Sequence, residues 1–428
     1  MEIKDLSINE DILNLFNYTL NDDAKATVKN LLLKPLETKE QILYRQHVLK
    51  GFLENISLFE TYSYSRIDFR QVYIFLQSFD DEEFLEKGLK LKLHFSKQKH
   101  YDYRSRCVQL IMLFHRLHNH YIKNIVTVPF PEEYKNDIRL IDDFLSSFKL
   151  DYYENLIRAH KFGVKHIVQI LKLISIKKRK KEIVAFQDAY TLFEAYISIA
   201  KGIIRHKLAF PEISEKQVAL TQFYHPLLAN PVKNSFEANS NVVLITGPNM
   251  SGKSTLLKAI SICIYLGNIG FAVPAQAAKI PKYDNISVFI NLNDDLQSGY
   301  SHFMTEIINL KKVVEQSGTD KPHYAVFDEL FRGTNIDDAL EISKATLKGL
   351  LNFKNSLFFV SSHLHQLTEM EEIQNGSIAT YYLDCNLKES TPAFTYELKP
   401  GWSDIKIGRI LFEKEGLNEL LQHKHTLS

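Results

Sequence analysis

The stretch Gly247-Pro248-Asn249-Met250-Ser251-Gly252-Lys253-Ser254-Thr255 constrains this chain more than any other. It follows Asn241-Val242-Val243-Leu244-Ile245-Thr246, a short apolar run with β-branched residues. Such a run, bounded by glycine, reads as a buried parallel strand. Helical spacing begins just after it, over about 253–267. A strand that turns through glycines into a helix belongs to an α/β layer, because a parallel sheet needs helices to return the chain.

The glycines let backbone N–H groups curl round an anion without Cβ clashes. The helix that starts near Lys253 directs its positive dipole end at the same point. All fixed positions of the phosphate-binding pattern GxxxxGK[ST] are filled, from Gly247 through Thr255. In that pattern Lys253 reaches the β- and γ-phosphates and the Ser254 hydroxyl ligates Mg²⁺, so ATP and Mg²⁺ are the expected cofactors. The competing reading is a Gly-rich turn with no ligand.

A second strand, Tyr324-Ala325-Val326-Phe327, ends in Asp328-Glu329. Side chains alternate along a strand, so the two carboxylates are expected to do different work. Asp328 is placed to hold Mg²⁺ through its water shell, and Glu329 to act as general base on a water. A third strand, Ser356-Leu357-Phe358-Phe359-Val360, leads into Ser361-Ser362-His363. His363 is read as a hydrogen-bond donor to the γ-phosphate, against the alternative of a surface histidine. Helical patterns at about 302–316 and 337–352 separate these strands.

The first half has a different texture. Residues 1–215 hold only 4 of the 16 glycines and 4 of the 12 prolines, so long helices are expected there. Leu110, Leu113, Phe114, Leu117 and Tyr121 fall on one helical face, as do Ile183, Phe186, Tyr190, Phe193 and Ile197. The fold class is therefore α plus α/β: an all-helical domain over 1–215, then a P-loop domain over 216–428. A length of 428 residues accommodates both.

The net charge of +1 conceals an asymmetry. Residues 1–220 carry 34 basic and 29 acidic side chains, and the remainder 18 and 22. The basic excess peaks at Lys177-Lys178-Arg179-Lys180-Lys181. Two readings stand: contact with a DNA phosphate backbone, or a solvated basic face. Cys107, Cys263 and Cys385 are far apart, which argues against a zinc or disulfide framework. No secretory signal and no membrane-length apolar run is visible, so the expected location is the cytoplasm.

The motifs resemble those of the MutS family. The Pro-Asn-Met interior of Gly247–Thr255 is that family's form of the phosphate loop. Val273-Pro274-Ala275, Asp294 to Glu306, Asp328 to Thr334, and Ser362-His363 follow in the family's order. The resemblance implies an ABC-type ATPase domain that dimerises head to tail, with Ser301 reaching the partner's γ-phosphate and Asn249 bonding near it. His302 stands where the family usually has threonine. His225-Pro226 and Pro231-Val232 resemble the segment that stacks the adenine, with Val232 or Pro231 in place of the usual phenylalanine.

Leu31 to Gln46 resembles the start of the family's helical core, whose role is leverage between DNA and ATPase. It begins so early that a form without the mismatch-reading domain is expected. Phe52-Leu53-Glu54 and Phe84-Leu85-Glu86 have the form of the reader's Phe-x-Glu wedge but fall in the helical region, and are read as coincidence. The chain also stops, near Gly416 to Leu420, where the family usually continues into a dimerisation element. The function implied is an ATP-driven dimer switch on DNA, in mismatch repair or related DNA metabolism. The alternative is a DNA-independent, nucleotide-gated interaction protein or partner subunit.

Overall fold

A computed structural model describes residues 1–79, 88, 93–248, 250–290, 302–318, 321–331, 333–388, 391–402 and 412–422. Two compact units emerge. One gathers Met1–Ile12, Leu32–Leu43 and His206–Ser428; the other comprises Leu13–Leu31 and Tyr44–Arg205.

The second unit is helical, as the scarcity of chain breakers predicts. Its long helices are α1 (Asp22–Leu33), α2 (Lys39–Glu54), α3 (Arg66–Ser78), α4 (Lys97–His120), α5 (Glu132–Ser146), α6 (Leu150–Arg158), α7 (Val164–Arg179) and α8 (Glu182–Arg205). The first of these runs on past Leu31 and the second begins before Tyr44. Ser96 caps α4 by accepting from the Lys99 N–H, and Ser65 caps α3 through Asp68. The apolar faces meet in an aromatic core. Phe52 lies against Phe130, Tyr134, Phe193 and Tyr196, and the Phe144 and Phe186 rings stack with centroids 4.1 Å apart. Phe52 is fully buried and so is no exposed wedge, while Phe84 lies outside the described residues.

The other unit holds two sheets. The larger has the order β10-β9-β4-β8-β7-β6, where β4 is Val242–Thr246, β6 Asn285–Phe289, β7 His323–Phe327, β8 Leu357–Ser361, β9 Ala379–Lys388 and β10 Thr391–Pro400. All neighbours run parallel except the β9–β10 hairpin. Every residue of β4, β7 and β8 is buried, as expected of strands covered on both faces. The smaller sheet has the order β1-β5-β2-β3, formed by Glu212–Ser214, Ala277–Pro281, Ala219–Phe223 and Asn234–Glu237.

Three helices serve the larger sheet: α9 (Lys253–Asn268), α10 (His302–Ser317) and α11 (Ile336–Leu350). Ser261 on α9 bonds the Tyr324 hydroxyl of β7 at 3.0 Å, and the Tyr265 hydroxyl donates to the Leu32 carbonyl at 2.6 Å. Trp402 packs beside the cluster of Val242, Phe327, Leu347 and Phe358, as a turn residue would. Glu2 pairs with β6, donating to the Ile286 carbonyl and accepting from Val288, both at 2.8 Å. Among the described residues no helix is long and apolar enough to cross a membrane.

Candidate functional site

The order β4-β8-β7 brings three carboxyl ends side by side. Residues 247–255 follow the first, 362–363 the second and 328–329 the third. In open α/β sheets the crevice outside the strands' carboxyl ends is where ligands bind.

The loop after β4 depends on left-handed backbone. Gly247 has φ 138° and Gly252, which caps α9, has φ 94°. Met250 adopts φ 69° with its side chain 75% exposed, so its apolar end faces out of the loop. Lys253 is buried. Its ammonium donates to the carbonyls of Gly247 at 3.0 Å and Pro248 at 3.2 Å, and lies 3.7 Å from Glu329 Oε1. The Ser251 hydroxyl is buried without a hydrogen-bond partner among the described residues. Thr255 follows on the first turn of α9 and is exposed. Asn249 lies outside the described residues.

Ser254 Oγ donates to Asp328 Oδ2 at 2.5 Å, so the loop meets the acidic strand end directly. Asp328 Oδ1 accepts from the Ser361 hydroxyl, and that hydroxyl in turn accepts from the Glu329 N–H at 2.8 Å. The two carboxylates have different partners, Asp328 the Ser254 and Ser361 hydroxyls and Glu329 the Lys253 ammonium. β7 ends at Phe327, before both of them, and Glu329 adopts left-handed backbone at φ 52°. His363 follows β8 and is exposed.

Beside the loop lies a cavity of about 370 Å³, lined by Phe223, Tyr224, His225, Leu228, Pro231, Val232, Gly252, Thr255, Leu383 and Tyr396, among others. It is mainly apolar with a few polar groups, as small-ligand sites usually are. Val232 and Pro231, the two candidates that the family resemblance offers for stacking an adenine, both line it. Burial, with the Lys258 ammonium adding to it, holds the His225 imidazole below its ordinary pKa.

Sequence reasoning missed Leu383 and Tyr396. Both come from the β9–β10 hairpin, whose register shifts between Phe394 and Leu398. Tyr396 falls in that shift at φ 58°, and the Asn234 amide donates to its carbonyl at 3.0 Å. A Cβ on Gly252 would come within 3.1 Å of the Tyr396 ring. No local signal marks such a residue, because its position depends on a hairpin irregularity.

Ser301 and Arg332 lie outside the described residues, as does Asp294 to Tyr300. The basic run sits at the end of α7 and the turn before α8. Its residues differ sharply. Lys177 is buried, bonds Glu182 Oε2 at 2.8 Å, and places its ammonium 4.6 Å from the centre of the Phe144 ring. Lys178 donates to the carbonyls of Gln77 at 3.0 Å and Phe79 at 2.5 Å. Both ammonium groups thus have partners inside the helical unit. Arg179, Lys180 and Lys181 are exposed.

Residues 243–419 match the family model described as MutS domain V. Proteins described as DNA mismatch repair protein MutS align over more of the chain. The one from Desulfitobacterium hafniense (strain Y51) is 29% identical over 58% of this chain and 30% of its own length. That of Streptococcus sanguinis (strain SK36) is 32% identical over 43% and 21%, and that of Oceanobacillus iheyensis 27% over 60% and 30%. The chain therefore spans less than a third of the length of these curated relatives. The matched region carries the strand ends and the loop described above, so this part of the chain is similar to MutS domain V.

Proposed function

We propose that this chain is a Mg²⁺-dependent ATPase of the MutS type. The observation that carries the reading is the meeting of Lys253 and Ser254, beyond the end of β4, with Asp328 and Glu329, beyond the end of β7, inside the segment that matches MutS domain V.

The polyphosphate lies along residues 247–255. Phosphate oxygens bear full charges, so they outcompete the neutral carbonyls of Gly247 and Pro248 for the Lys253 ammonium. The Ser251 hydroxyl, buried and without a partner among the described residues, supplies a further polar contact from the loop. The base enters the cavity lined by Pro231, Val232 and Tyr396.

The Ser254 hydroxyl and the Asp328 carboxylate, already in contact, are the hard oxygen donors a Mg²⁺ ion prefers, and they would hold it. When bound, the ion neutralises charge on the transferring phosphoryl group. Glu329 takes the proton from the attacking water, and His363 donates a hydrogen bond to the γ-phosphate. Ser301 and Asn249 complete the site from a second subunit and from the loop, which makes ATP the ligand that closes a dimer. The helical unit then works as the lever on DNA.

Glu329→Gln tests the assignment. Turnover is expected to fall by about 10²-fold or more, the usual contribution of a general base, while ATP binding is retained. Unchanged hydrolysis in that variant removes Glu329 from the mechanism. A second reading is a nucleotide-gated interaction protein that does not touch DNA. It is favoured by the internal use of Lys177 and Lys178.

A further inference from the structure

We propose that Ser361 is a positioning residue for the carboxylate pair, and that its hydroxyl keeps Asp328 and Glu329 in their separate roles. The proposal rests on the ATPase reading above and adds a residue that the phosphate-site motifs do not contain.

Ser361 is the last residue of β8 and is fully buried. β8 lies between β4 and β7, with Ile245 opposite Ser361 and Phe327 opposite Val360. A side chain at this strand end therefore reaches the acidic turn that follows β7. Its two hydrogen bonds have only one possible polarity. The Glu329 backbone N–H can only donate, so Ser361 Oγ accepts there at 2.8 Å. The single hydroxyl proton is then free to go to Asp328 Oδ1.

Two consequences follow. The Asp328 carboxylate is held at both oxygens, Oδ1 by Ser361 and Oδ2 by Ser254, which sets its plane and aims one oxygen at the Ser254 hydroxyl. The left-handed backbone at Glu329, φ 52°, is also tied down, because its amide is fixed to the neighbouring strand. Such a conformation persists only where the surroundings over-determine it. Both partners of the Ser361 hydroxyl belong to the acidic pair.

The test compares the parent chain, Ser361→Ala and Ser361→Thr. Affinity for a fluorescent ATP analogue is titrated with EDTA and across a Mg²⁺ series, and turnover is measured in parallel. In Ser361→Ala the Mg²⁺ concentration for half-maximal effect is expected to rise by about 10-fold, the lower end for loss of a group that orients a metal ligand, with kcat falling alongside. Affinity without Mg²⁺ stays at the parent's value, and Ser361→Thr, which keeps the hydroxyl, behaves as the parent. An alanine variant with unchanged Mg²⁺ dependence and kcat overturns the proposal. Equal weakening with and without Mg²⁺ also overturns it, since that marks a residue that only supports the fold. A parent chain that shows no Mg²⁺-dependent nucleotide binding defeats the ATPase reading itself, and this inference falls with it.

Discussion

Glu194 is a carboxyl group buried in the helical unit, and four donors and a cation surround it. The Tyr64 hydroxyl donates to Oε2 at 2.5 Å, the Tyr62 hydroxyl to the same oxygen at 3.2 Å, and the Leu20 N–H to Oε1 at 2.7 Å. The Asn21 backbone also bonds the carboxylate and favours its charged form. The Tyr190 hydroxyl joins Tyr62 at 2.6 Å, and the Lys201 ammonium lies 5.8 Å from the centre of the Tyr62 ring. The donors lower the Glu194 pKa, but burial is the larger effect and raises it above the ordinary glutamate range. The sign of the pH dependence follows. Between the ordinary value and the raised one, the folded state holds a proton that the unfolded state has released. Unfolding free energy therefore falls as pH rises through that window, and the benefit is complete below it. Glu194→Gln keeps an acceptor for Leu20 and removes the titration. Urea midpoints across the acid range are expected to fall with pH in the parent more steeply than in the variant; parallel curves would show that Glu194 contributes nothing to the slope.

At the scale of elements, Gly202 decides how α8 meets the start of the helical unit. A Cβ there would lie 2.3 Å from the Leu15 carbonyl oxygen and 3.0 Å from the Phe16 Cα. One turn earlier Ser198 binds the same segment, donating to the Phe16 carbonyl and accepting from the Tyr18 N–H, each at 2.6 Å. Helix propensity favours alanine over glycine by about 1 kcal/mol, whereas forcing atoms into a filled space costs about 1–3 kcal/mol. The clash is with backbone, which does not swing aside, so Gly202→Ala is expected to destabilise by about 1–2 kcal/mol net. Gly349, in the last turn of α11, has nothing within 4 Å of its added Cβ, so Gly349→Ala should be neutral or gain up to about 1 kcal/mol. Chemical denaturation of the two variants checks the pair. Similar effects in both would mean that propensity, not contact with Leu15, controls the site.

The elements themselves were largely legible. The strand ending at Thr246, the helix beginning at Lys253 and the helix pattern at 302–316 stand in the structure as β4, α9 and α10, within a residue or two. Periodicity and glycine placement are local signals, and a buried parallel strand writes them over a few residues. The loop and the Asp328-Glu329 pair were legible for the same reason. Ser361 and Tyr396 were not. One acts across two strands and the other from a shifted hairpin register, so neither leaves a trace near the residues it serves.

At the scale of the whole molecule, the question is whether the basic half meets nucleic acid. The sequence gathers 12 basic against 5 acidic residues in 151–210, yet composition does not say which cations are available. The structure separates them. Lys177 is held between Glu182 and two aromatic rings, while Arg179, Lys180 and Lys181 are exposed. A phosphate-backbone contact releases counterions, so the logarithm of affinity falls with the logarithm of salt by about 0.9 per contact. If these three side chains meet DNA, replacing them together with alanine should weaken binding to duplexes of any sequence and reduce that slope by about 2–3. Lys177→Met keeps the packing on Phe144 and should leave the slope unchanged, whatever it does to stability. Filter binding to homoduplex, mismatched and branched DNA over a salt series, with and without ATP, reads both effects. An unaltered slope in the triple variant moves the contact elsewhere on the chain. A parent chain that binds none of these DNAs at low salt, yet still responds to nucleotide, leaves the interaction-protein reading in possession.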